Sequence, residues 1–204
     1  MQRYDELMFT PAVQALQEVE GMREKYARSY GPRTRALGPD DIAFLESRSS
    51  IYIASVSETG WPYVQHRGGP VGFLKVLDDH TLAFADYKGN KQHISHGNTG
   101  HDDRVSLFAM DYPRKARMKL QGHATFVNAA DDPDLAARLA VDGQGPVERL
   151  VTIRLAAFDW NCPQFITPRF DASEIAQLVG PEMDKLNARI AALEAENAAL
   201  KGQG

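Results

Sequence analysis

A mainly β chain with added helices, α+β in class and built around an antiparallel barrel, is what this sequence predicts, on three observations. Short runs rich in β-branched and aromatic residues recur along its middle. Compact polar turns join most of them, as at Glu58-Thr59-Gly60, Asp78-Asp79-His80 and the segment from Asp86 to Gln92. Helical patterns are confined to the two ends and to brief inserts, which is not the regular strand–helix alternation of a parallel sheet.

The elements follow in order. Thr10-Pro11 supplies a capping residue and a proline at the first helical position, and Val13, Leu16, Val19, Met22 and Tyr26 then recur at helical spacing, so a single amphipathic helix is expected to run until Gly31-Pro32. Pro39 opens a short helix bearing Ile42, Phe44 and Leu45. Ser50–Val56 has strand composition, and after the Gly60 turn Trp61–Gln65 returns beside it. A Gly-rich turn, His66-Arg67-Gly68-Gly69-Pro70, leads into two further strands, Val71–Leu77 and Thr81–Ala85. Gln92-His93-Ile94-Ser95 reads as a short helix that Gly97-Asn98-Thr99-Gly100 breaks before His101. Strands follow at Arg104–Met110, Arg117–Val127 and Leu150–Phe158, with a helix opened by Asp132-Pro133 between the last two.

The C-terminal segment differs in kind. After Gly180-Pro181, Leu186, Ile190, Leu193, Asn197 and Leu200 follow a 4-3-4-3 spacing, with leucine at d, isoleucine at a and one asparagine at a. A short coiled-coil seam fits this pattern, and so does a helix packed on its own domain. The expected organisation is a helical segment over 1–38, the barrel over 39–170, and a helical extension over 171–204.

Composition narrows the function. With 204 residues, 43% of them hydrophobic, the chain buries one core and carries an appendage. A formal net charge of −4 argues against a general nucleic-acid binder, which needs clustered positive charge to neutralise phosphates. No apolar run approaches the roughly 20 residues that span a bilayer, and the segment from Met1 to Glu6 lacks a signal-peptide layout. The expectation is a cytoplasmic protein with neither membrane nor nucleic acid as a partner. Cys162 is the only cysteine, so no internal disulfide or thiolate metal cluster is available.

The polar turns carry the chemistry. A hairpin between them brings both to one end of a sheet, where glycines let backbone N–H groups approach an anion, Arg67 and Lys91 add charge and Tyr87 adds a flat face. Gly89-Asn90-Lys91 before a helix also suits phosphate, because the first helical N–H groups have no intrahelical partner. Spacing alone equally fits a routine strand-to-helix connection, and a hairpin turn with a solvated arginine at His66-Arg67-Gly68. His93, His96 and His101 lack the His-x-x-x-His spacing and intervening glutamate of a zinc helix, so no metal site is assigned. No Gly-x-Ser-x-Gly elbow occurs, and Cys162 has no recognisable base in sequence, so nucleophilic hydrolysis is set aside.

Taken together, Gly60–Gly68, Leu82–Gln92, Lys119–Ala124 and Trp160-Asn161-Cys162-Pro163-Gln164 resemble the pyridoxamine 5′-phosphate oxidase-related FMN-binding family over roughly residues 40–170. That resemblance implies a six-stranded antiparallel split β-barrel, a homodimer with flavin at its interface, and FMN as cofactor. It implies that Asn90, Lys91 and Gln92, following Gly89, grip the FMN phosphate, with Gln92 standing where the family has a basic residue. Arg67 and Lys75, with His66 and Gly68 at the same turn, match its basic strand positions. Asp86 and Tyr87 border the ribityl chain and ring, Arg117 makes a polar flavin contact, and Trp160 closes the site across the dimer. No catalytic residue is implied beyond these. The family's Arg-Leu-His substrate segment is missing after Trp160, so oxidation of vitamin B6 phosphates is not expected. An oxidoreductase acting on a small substrate, with a nicotinamide nucleotide as donor, is one implied function. A non-catalytic flavin or haem carrier or sensor is the other.

Overall fold

The structure, a computed structural model, describes residues 1–30, 36–160 and 162–202. The expected helix break at Gly31-Pro32 and the Asn161 of the Trp160 segment lie outside the described residues. The chain divides into one unit of Met1–Asp111 and Ala116–Gln164 and a second of Tyr112–Lys115 and Phe165–Gly204.

In the first unit seven strands form one antiparallel sheet: β1 (Ser50–Val56), β2 (Pro62–Gly68), β3 (Lys75–Asp78), β4 (Thr81–Tyr87), β5 (Arg104–Asp111), β6 (Ala116–Asn128) and β7 (Val147–Trp160). Six of them have seven or more residues, and β3 has four. The order is β2-β1-β5-β6-β7-β4-β3. On a flat sheet β2 and β4 would lie about 24 Å apart, five strand spacings. Arg67 Nη1 of β2 nevertheless donates to Asp86 Oδ1 of β4 at 2.7 Å. The sheet is therefore curled until its ends meet, with side chains bridging the split where no strands pair.

Alternation explains which face is inside. In β1 Ile51 and Ile53 point inward between half-buried neighbours, in β5 Val105, Leu107 and Ala109 do so, and in β6 Met118, Leu120 and Ala124. These join Leu82 and Phe84 of β4 and Ile153 and Leu155 of β7 in one core. Between Gln121 and Gly122 the β6–β7 register shifts. A Cβ on Gly122 would lie 2.8 Å from the Arg154 carbonyl oxygen and 2.9 Å from Ile153 Cγ2. Gly122→Ala is expected to cost about 1–3 kcal/mol through this overpacking, which chemical denaturation measures.

Four expectations change. The single N-terminal helix is two, α2 (Pro11–Val19) and α3 (Arg23–Tyr30), preceded by α1 (Tyr4–Met8). Thr10 caps α2 as expected, but Gly21 at φ 67° turns the chain between α2 and α3. His66, Arg67 and Gly68 belong to β2 rather than a turn, because β1 is long enough to pair Ser50 with Gly68. Val71–Leu74 form a turn rather than the start of a strand. Gly72 there has φ 87° and donates its N–H to the Glu46 carbonyl of α4 (Pro39–Glu46) at 3.0 Å.

The fourth concerns α5, which spans Ile94–His101 and runs through Gly97–Gly100. Asn98 donates from Nδ2 to Ser55 Oγ of β1 at 2.9 Å, and Ser95, Asn98 and Thr99 are buried, so tertiary anchoring outweighs the glycines. The Asp132 side chain caps α6 (Pro133–Leu139), as its sequence predicts.

The second unit is dominated by α7, Ala172–Lys201. It starts where the helical extension over 171–204 was expected to start, and there Asp171 and Glu174 form a reciprocal capping box, each bond 2.8 Å. Pro181 is carried inside the helix.

Candidate functional site

The turn after β4 meets the ends of β2 and β7 and the start of α5 around a cleft of about 260 Å³. Arg67, Asp86, Tyr87, Gly89, Asn90, Lys91 and Gln92 line it, so seven residues singled out in the sequence converge there. An adjacent cavity of about 240 Å³ is bordered by His66, Arg67 and Gly68 and shares Arg67, Asp86 and Tyr87 with the first. Three others lie outside both cavities. Lys75 sits on β3, with its Nζ beside Gly72. Arg117 on β6 lies 5.9 Å from the Phe108 ring centroid. Trp160 donates from Nε1 to Asp41 Oδ1 at 2.7 Å and packs edge-on against Phe44.

The floor of the cleft is an ion network. Asp86, 7% exposed, accepts from Arg67 at 2.7 Å on one oxygen and from Arg149 Nε and Nη2 at 3.0 and 2.9 Å on the other. Arg149 Nη2 also lies 3.8 Å from Glu148 Oε2, so two carboxylates balance the two guanidiniums and Lys91 supplies the excess positive charge of the cleft. Arg67 Nε is one of two buried side-chain polar atoms among the described residues with no hydrogen-bond partner. Arg149 was not singled out in the sequence. No short motif marks it, and only the β4–β7 register, which sets Asp86 opposite Arg149, brings it in.

The rim is a backbone turn held in an unusual conformation. Lys91 and His93 have φ of 60° and 55°, the left-handed region that non-glycine residues avoid. Asn90 Oδ1 accepts from the Gln92 N–H at 3.2 Å, and Ser95 Oγ donates to Gln65 Oε1 at 2.7 Å, tying the start of α5 to β2. Tyr87 is held by accepting from the Val141 N–H at 2.7 Å. The expected phosphate-binding helix start is thus displaced by two residues, and Gln92 and His93 lie in the turn ahead of α5.

Opposite the rim, the His96 ring stacks on Phe126 with centroids 4.9 Å apart and planes 15° from parallel. Desolvation of that stacked face, then the positive charges of Arg149 and His93, hold its pKa below the ordinary 6.5, although the residue as a whole is exposed. The folded state therefore favours neutral His96. Its contribution to stability is fully present above about pH 6.5 and is lost as pH falls through the lowered folded value. An NMR titration of the His96 ring is expected to give a midpoint below 6.5, rising when an anion occupies the cleft.

A curled antiparallel sheet whose split is bridged by side chains beside a cleft bearing Arg67, Lys91 and Arg149 defines a split-barrel protein. The family model described as Pyridoxamine 5′-phosphate oxidase matches residues 41–152, and the chain belongs to that family. Among solved structures, HupZ of Group A Streptococcus is similar at 13% identity, with 66% of this chain and 100% of HupZ covered and a TM-score of 0.50. A candidate pyridoxamine 5′-phosphate oxidase from Lactobacillus delbrueckii aligns at 20% identity, over 62% of this chain and 96% of that one, with a TM-score of 0.48. No curated protein matches. No helix among the described residues is long and apolar enough to cross a membrane.

Proposed function

We propose that this chain is an FMN-binding flavoprotein that acts as an oxidoreductase on a small substrate. The observation that carries this is the pairing of Arg67 and Arg149 on one buried carboxylate directly beneath the Lys91 turn. A phosphate monoester suits that end: Lys91 supplies a mobile charge, and the guanidiniums of Arg67 and Arg149 supply further N–H donors. Family membership supports a flavin as the ligand. The residues present fit such a group, since Tyr87, Phe126 and His96 add flat faces beside the charged floor.

When bound, FMN supplies hydride or electron transfer at its ring. The chain's own residues hold and orient it. Lys91 and the arginines would hold the phosphate, and Tyr87 and the adjacent cavity would border the remainder. The cleft is open on one side in a single chain, and a second copy forming a homodimer supplies its missing wall in this reading.

An absorption spectrum of the freshly purified protein tests the cofactor: bands of bound flavin, released on heating, are expected. Bleaching of those bands by a nicotinamide nucleotide and their return with an acceptor tests turnover. Flavin that stays bound without being reduced would identify a carrier instead, and a colourless protein that ignores added FMN would end the proposal.

A further inference from the structure

The length of α7 carries an apolar seam that nothing among the described residues covers. Val179, Leu186, Leu193 and Leu200 recur at d positions, and Met183, Ile190 and Asn197 at a positions. The six apolar members are each between 40% and 64% exposed. Within the second unit the stripe stays unburied, and an apolar stripe of this length calls for a partner helix. We propose that α7 pairs with α7 of a second copy of this chain as a parallel, in-register, two-stranded coiled coil.

Two independent features commit the seam to that partner. The first is charge at the flanking positions. In a parallel in-register pair, each g residue faces the e residue five positions further along the other helix. Arg189 at g then faces Glu194 at e, and Glu196 at g faces Lys201 at e, both attractive, while Glu182 faces the neutral Asn187. The pattern is thus self-complementary between identical chains in this register.

The second feature is Asn197. In register, two asparagine amides meet across the seam and hydrogen-bond to each other, which favours two strands over three or four. An antiparallel pair would instead set each asparagine against a d-position leucine or valine, leaving its amide without a partner. Pro181 falls at f, away from the seam, so it does not obstruct the contact.

The pairing is independent of flavin, and its test needs none. In the full-length chain carrying Cys162→Ser, Leu193→Cys places thiols face to face at a d position, whereas Ala195→Cys at f points away. Under mild oxidation, Leu193→Cys is expected to form interchain disulfide at least about ten times faster than Ala195→Cys, since pairing raises the local thiol concentration. Adding Arg189→Glu should slow that cross-link several-fold, and adding Glu194→Arg to the same chain should restore it, because the swapped charges attract again. Equal rates for the two cysteine variants would overturn the pairing. Indifference to Arg189→Glu, or no rescue by the second reversal, would overturn its parallel register.

Discussion

Asp86→Ala is expected to lower the melting temperature by about 6–12 °C, corresponding to about 3 kcal/mol in a chain of this size. Asp86 accepts from both Arg67 and Arg149 at the base of the cleft and is almost fully buried, while Glu148 lies farther from Arg149, at 3.8 Å. Its removal leaves two guanidiniums, 22% and 16% exposed, with lost partners and mutual repulsion. It also cuts the bridge between the two ends of the sheet, where no backbone ladder substitutes for it. Asp86→Asn should fall between, because an amide keeps one acceptor but not the charge. Differential scanning calorimetry with and without added salt separates the effects. Since residual repulsion between the arginines is screened, salt should recover part of the loss in Asp86→Ala, and a melting temperature equal to wild type would refute the bridge.

Lys91→Ala is expected to weaken FMN binding by roughly one to two decades, the loss of one charge-assisted phosphate contact worth about 1.5–3 kcal/mol. Lysine at φ 60° already carries left-handed strain and alanine inherits it, so a rearranged turn is the second cause to separate from the lost charge. Lys91→Asn separates the two causes, because asparagine tolerates the left-handed region while removing the charge. Both variants should show the same loss, and both should show weaker salt dependence than the wild type, since one cation fewer faces the phosphate. Fluorescence titration of FMN measures each affinity. Wild-type affinity in Lys91→Asn would remove Lys91 from the phosphate grip.

How much of the site was legible in the sequence follows from how local its residues are. Gly89, Asn90, Lys91 and Gln92 are contiguous, and their turn composition announced the loop that lines the cleft. Asp86 and Tyr87 end the same strand. Arg149 lies 63 residues from Asp86 and His96 stacks on Phe126 from another element, so their roles depend on strand register. Sequence spacing carries no record of such pairings. Lys75, Arg117 and Trp160 were singled out through the family resemblance, and in a single chain they stand outside the cleft.

The same division holds for the fold. Strand composition, turn chemistry, the caps at Thr10 and Asp132, and the heptad from Leu186 to Leu200 were determined by the sequence alone, because each depends on side chains a few residues apart. Tertiary structure alone decided that α5 continues through two glycines, that β2 extends to Gly68, and that the seven strands curl until Arg67 reaches Asp86. Those outcomes balance contacts between distant segments against local backbone preference, and a few buried hydrogen bonds and one bridging ion pair outweigh differences of about 1 kcal/mol in propensity.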